Sequence, residues 1–150
     1  MLSPVESKAK GRTVRSLNKG RGASAVEFAL ILPLLVILIF GIIEFSLALY
    51  DKAMITNASR EGARSGIVYR LPPVGDGEII SVVNSYLGNY LITFGGSPIA
   101  TVTVSRNGSS PGGQLRVRVA YRYTFLVLPS FISTLAGGID LVGETVMRME

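Results

Sequence analysis

The chain has no cysteine, no histidine and no tryptophan. Without cysteine there is no disulfide framework and no thiolate metal site. Without histidine the side chain that most often serves as general base and metal ligand is missing. Lys52 is the only lysine after residue 22, so a Ser–Lys dyad has little to draw on. There is no Gly-rich phosphate loop and no Ser/His arrangement. These absences argue against an enzyme, and neither a cofactor nor a resident metal is expected. Asp76 and Glu78 flank Gly77 in a turn, but two carboxylates fall well short of the roughly six to eight oxygens that calcium takes.

Charge is also missing where it matters. Residues 28–43 carry none, and after Glu44 the uncharged run resumes to Tyr50. As a helix, residues 28–50 would measure about 34 Å at ~1.5 Å per residue, longer than a hydrocarbon core of about 30 Å. Before Ala23 the bases are Lys8, Lys10, Arg12, Arg15, Lys19 and Arg21 against the single acid Glu6, which accounts for the whole net charge of +5. A basic arm can bind nucleic acid. Placed directly before an apolar span, it is explained more simply by the positive-inside rule, with the leader cytoplasmic and residues 51–150 sent across. Nucleic acid is not an expected partner; membrane lipid is. The apolar stretch exceeds the roughly 7–15 residues of a secretory signal, and no Ala-x-Ala pattern follows it, so the helix is expected to stay with the mature protein.

One carboxylate, Glu27, stands at the mouth of the apolar run, five positions after Gly22. Ser24 three residues before Glu27 makes a capping box, which would put a carboxylate at the positive end of the helix macrodipole. That accounts for tolerance of Glu27, but not for a charged leader ending in glycine. A cut after Gly22 would create an α-amine on Ala23, an opposite charge for Glu27 in the same chain or a neighbour. Pairing between subunits would neutralise both charges and fix axial stagger, the best-attested use of a buried pair. Pro33 removes a donor from the span and should kink or loosen it. Glu44 lies about 25 Å along the helix from Glu27 and reads as an interfacial carboxylate, with a subunit contact as the other reading.

Gly22-Ala23-Ser24-Ala25-Val26-Glu27-Phe28 resembles a type IV prepilin cleavage site, with Glu27 and Phe28 at the fifth and sixth mature positions. More narrowly, residues 21–35, Phe40-Gly41-Ile42-Ile43-Glu44-Phe45 and Asn57-Ala58-Ser59-Arg60-Glu61-Gly62-Ala63-Arg64 are similar to TadE-like pseudopilins of the tight-adherence (Tad/Flp, type IVb) pilus system. The resemblance implies a prepilin peptidase that cuts between Gly22 and Ala23, an assembly role for Glu27 and Phe28, and partners among other pilins or pseudopilins and the pilus assembly platform. It implies a single pass through the bacterial inner membrane with the C-terminal part extracytoplasmic, and a protein of pilus assembly and adherence. Ala23 stands where many type IVa pilins have Phe, and Phe28 replaces the Tyr common in major tight-adherence pilins; with the large outer domain, this argues for a minor subunit. In such a protein Asn57-Ala58-Ser59 and Asn107-Gly108-Ser109 are poor glycosylation sites. The competing reading is a single-pass anchored binding domain, neither cleaved nor assembled.

Beyond the span, residues 51–70 are expected to continue the helix. Tyr50, Met54, Ala58, Gly62 and Gly66 offer a small or apolar face, against the outer domain or a neighbour, while Arg60, Glu61 and Arg64 supply a polar side. Leu71-Pro72-Pro73 stops the helix. Ile79, Val82, Val83, Tyr86, Leu87, Tyr90 and Leu91 recur at three and four, an amphipathic helix, broken by Gly95-Gly96-Ser97-Pro98. Val102 and Val104 alternate with threonine and serine in a first strand. A loose hairpin connection over residues 107–113 leads to the alternation of Leu115, Val117, Val119, Tyr121, Tyr123 and Phe125. A third strand is expected over 141–149. The fold class is α+β, a long N-terminal transmembrane helix running into an extracytoplasmic helix, then an amphipathic helix and a small antiparallel sheet. The divisions are a leader 1–22, a transmembrane and assembly helix 23–50, a helix extension 51–70 and an α+β domain 71–150. Arg116, Arg118 and Arg122 share the polar face of the second strand, read as its wet side with an anion-binding stripe as the alternative. Residues 126–135 form an apolar loop that closes the core or presents a contact surface.

Overall fold

A computed structural model describes residues 19–68, 70–93, 100–108, 112–125, 127 and 137–149. Most of the basic leader, the Gly-rich break at 95–98, the centre of the hairpin connection and the apolar loop 126–135 apart from Val127 lie outside the described residues. Two helices and three strands follow in the order α1 (Lys19–Ile67), α2 (Asp76–Tyr90), β1 (Ala100–Asn107), β2 (Gln114–Tyr123) and β3 (Ile139–Arg148). The α+β layout of a long apolar helix, a second helix and a three-stranded antiparallel sheet is the one expected.

The chain forms two compact units, residues 1–36 and 37–150. In the first, the described residues are helix, with every side chain from 22 to 36 exposed. The apolar stretch of α1 is long enough to cross a membrane and none of it is covered by protein. A core helix of a water-soluble domain would be buried, so this segment requires lipid or other chains around it.

In the second unit the strands lie in the order β1-β2-β3, all antiparallel. Alternation along β2 puts Leu115, Val117, Val119, Tyr121 and Tyr123 on a buried face, joined by Leu141 and Met147 of β3. Ile79, Val83 and Leu87 form the buried stripe of α2. The stretch of α1 from residue 44 onward completes the core through Ile55, Ala58 and Ala63. Its back-bonded hydroxyls, Ser46 to the Ile42 carbonyl and Thr56 to the Lys52 carbonyl, meet their hydrogen-bonding needs within the helix.

Small residues set how closely these layers approach. Gly62 faces Val83, and Gly66 lies between Ile79 and Leu115. At Gly143 in β3 the neighbour is backbone: a Cβ there would stand 2.8 Å from the Ile55 carbonyl oxygen, so strand and helix would have to separate. Gly88 of α2 meets nothing within 4 Å. Gly143→Ala should therefore destabilise the protein by about 1–3 kcal/mol through overpacking. Gly88→Ala, in a helix interior, should stabilise it by about 0.4–1 kcal/mol. Chemical denaturation of both variants in detergent solution checks the opposite signs.

Candidate functional site

Gly22, Ala23, Glu27 and Phe28 all lie on α1 and are exposed. Helical geometry places Ala23 and Glu27 one turn apart on one face. The helix begins at Lys19, so Ser24 and Glu27 stand inside it in the uncut chain and not at the N-terminal cap that the capping-box spacing suggested. Gly20 and Gly22 both lie on α1 beside Ala23, and glycine in a helix interior weakens it by about 1 kcal/mol relative to alanine.

Glu44 is not at an open interface. It is only 3% exposed. The Tyr123 hydroxyl donates to Oε1, and the Val127 N–H donates to Oε2 at 2.7 Å. Burial, followed by the hydrogen bond to Glu44 and its charge, pushes the Tyr123 phenol well above its usual range. Edge-to-face contact with Phe125, centroids 6.2 Å apart, holds the tyrosine ring. The sequence suggested an interfacial carboxylate; instead a tyrosine far along the chain supplies the partner that makes burial tolerable.

Asp51, two turns on, is fully buried. Its Oδ1 accepts the Ile92 N–H at 3.1 Å, and its Oδ2 has no hydrogen-bond partner among the described residues. Burial raises the Asp51 pKa above its ordinary 3.8, against the lowering effect of the Ile92 N–H. Burial, and secondarily the charge of Asp51, raises Tyr121. Glu44, Ala48, Asp51, Ile55, Ala58 and Gly62 alternate steps of four and three, the seam of a packed helix. Tyr50 and Met54 lie off that seam, whereas Ala58, Gly62 and Gly66 lie on it. Ser59 continues the polar contacts, accepting from the Thr145 hydroxyl at 2.7 Å while donating to the Thr56 carbonyl at 2.8 Å.

Several of the remaining charges form structural pairs. Asp76 and Glu78 meet Arg106 and Arg70. On the outer face of the sheet Arg116 pairs with Glu144 at 2.6 Å and Arg122 with Asp140 at 3.0 Å, so the arginine stripe is largely neutralised from β3. Arg64 holds the Glu61 carboxyl below its usual range through a hydrogen bond. No group of three or more acidic, histidine or cysteine side chains suited to a metal occurs among the described residues.

Two outcomes follow from the buried acids. Tyr123→Phe removes the donor to Glu44 Oε1 and should cost about 1–3 kcal/mol. Glu44→Leu combined with Tyr123→Phe should cost less than the sum of the single changes, a coupling that a double-mutant cycle measures. Raised pKa means that the folded state favours neutral Asp51. Its contribution to stability is complete below the unfolded-state value and is lost as pH rises through the higher folded-state value. Asp51→Asn should thus gain stability relative to wild type from about pH 4 upward, measured as the difference between the two denaturation profiles.

Neither a curated protein nor a solved structure matches the chain. Residues 22–64, the stretch that begins at Gly22 and holds Glu27, Glu44 and Asp51, match the TadE-like protein family, which implies a protein associated with the tight-adherence pilus and, with the bare apolar stretch of α1, suggests membrane anchoring.

Proposed function

We propose that this chain is a minor pseudopilin of a tight-adherence type IVb pilus. It inserts once in the bacterial inner membrane, leader inward and residues 51–150 outward. A prepilin peptidase cuts it between Gly22 and Ala23, and the trimmed subunit joins other pilins on the assembly platform to serve pilus assembly and adherence. Its working parts are the leader 1–22, the membrane and assembly helix 23–50, the extension 51–70 and the α+β domain 71–150.

The observation that carries this reading is the family match starting at Gly22, with a single exposed carboxylate one helical turn past the cut. Chemistry supports it in three ways. Cutting removes the basic leader and leaves an amine where Glu27 can meet it. Glycines in the first turn ease the unwinding that proteolysis of a helix requires. The exposed apolar side chains around Phe28 can exchange lipid for neighbouring helices with little change in environment, packing then deciding the outcome.

Mass spectrometry of the protein purified from membranes of producing cells should give Ala23 as the N-terminus. A chain that keeps its leader there would point instead to an anchored, unassembled binding domain. Glu27→Ala should insert normally yet fail to enter pili. Wild-type incorporation of that variant, measured on sheared pilus fractions, would remove the assembly role of the carboxylate.

A further inference from the structure

We infer that the end of the second unit around Glu44 rests directly on the bilayer, with Phe45, Phe125 and Ile139 at the lipid boundary. The inference rests on the reading that the apolar stretch of α1 spans a membrane, and it adds where the span stops and what the folded domain touches.

The first argument is one of length. Glu44 is fixed inside the folded unit by Tyr123 and Val127, so the lipid-crossing stretch ends by Ile43. Counting back from Ile43 to the proposed new terminus at Ala23 gives a helix of about 32 Å at ~1.5 Å per residue, against a hydrocarbon thickness of about 30 Å. Lys19 and Arg21 of the leader hold the other end at the cytoplasmic surface before cleavage. The helix therefore has no surplus turns to serve as a stalk between lipid and folded domain.

The second argument is the chemistry of the surface at that end. Phe45, next to Glu44, is 65% exposed, and Ile139 is 45% exposed. Ile139 is the cross-strand partner of Tyr123, so it flanks the tyrosine that holds Glu44. Phe125 stacks edge-on against the same ring. One turn farther along α1, Leu49 and Tyr50 are also exposed, and tyrosine is favoured at the membrane–water boundary. Arg122 and Asp140, adjacent in sequence to Tyr123 and Ile139, form an exposed pair suited to the headgroup layer. Toward the C-terminal end of α1 the exposed Val68 and Leu71 are interspersed with the ion pairs Arg64–Glu61 and Arg70–Glu78. An end that is apolar where the span enters it, with an ion pair beside the apolar side chains, fits a lipid surface as its occupant.

Because the chain lacks tryptophan, a single introduced indole reports its own surroundings. The full chain reconstituted in vesicles of phosphatidylethanolamine and phosphatidylglycerol is prepared with Val36→Trp, Phe45→Trp, Ile139→Trp or Leu71→Trp. Leu71 serves as the remote probe because it is 81% exposed and follows the C-terminal end of α1. Lipids brominated near the headgroup or deep in the acyl chain then quench emission by depth. Val36→Trp should be quenched by the deep label. Phe45→Trp and Ile139→Trp should be quenched by the shallow label, with a blue shift relative to Leu71→Trp, which should lose no emission. Quenching at Val36 with none at Ile139 would overturn the inference while leaving the span intact, the result expected if a second subunit covers that surface or the domain stands clear. Absence of quenching at Val36 would overturn the span and the inference together.

Discussion

The carboxylate of Glu44, taken out of water and met by the Tyr123 hydroxyl and the Val127 N–H, is the contact on which the rest of the folded unit depends. A buried charge with one partner removed is strongly unfavourable, whereas a satisfied one contributes little net stability and mainly selects a single arrangement. Here it selects the rotation of α1 about its axis. With Glu44 turned toward the end of β2, the alternation of four and three brings Asp51, Ile55, Ala58 and Gly62 inward in succession. The close approach of the Ile55 backbone to Gly143 is possible only in that rotation. Hydrophobic burial supplies most of the driving force, but a stripe of alanine, glycine and isoleucine is tolerant of sliding, and the directional bond is what excludes the alternatives.

Asp51 extends the same device less completely. One oxygen is bonded and the other is left without a partner among the described residues, and burial raises the Asp51 pKa above its ordinary value. The two acids differ in consequence. Glu44 has donors for both oxygens, whereas Asp51 keeps one oxygen without a partner among the described residues. Their placement on one seam joins the second residue after α2, Ile92, to the end of β2, through the helix that both flank.

Much of this architecture can be read directly from residue patterns. Alternation from Leu115 to Tyr123 and the three-four spacing of Ile79, Val83 and Leu87 announce their elements because each buries one apolar face, and periodicity registers that directly. The seam of α1 is harder to read. Steps of four rotate by about 40° each around a helix of 3.6 residues per turn, so a line drawn through Tyr50, Met54 and Ala58 starts on the exposed side and reaches the core only at its end. The true seam passes through two acids, and hydrophobic patterning treats an acid as surface. Nothing near Glu44 in the sequence points to Tyr123, because their meeting depends on the register of a sheet formed later in the chain. The residues of the proposed cut site are the reverse case: local spacing from Gly22 to Glu27 is legible, and the fold adds only that they are exposed and helical.

Under the proposed assembly role, the contrast between Glu27 and Glu44 bears on how one helix would serve both a folded domain and an assembly. Glu44 is saturated within its own chain. Glu27, exposed on bare helix, would meet only the amine unmasked one turn away, and exposed pairs at that spacing are worth about 0.2–0.5 kcal/mol. So weak a contact can be surrendered at little cost when a neighbouring subunit offers its own amine in a drier setting, where the same pair of charges attracts more strongly. Were Glu27 bound as firmly as Glu44, the subunit would be complete by itself and would gain nothing from a partner. A carboxylate able to take a new partner at the entry of the apolar run, and one fully committed at its exit, divide the helix into a part available to other chains and a part reserved for its own domain.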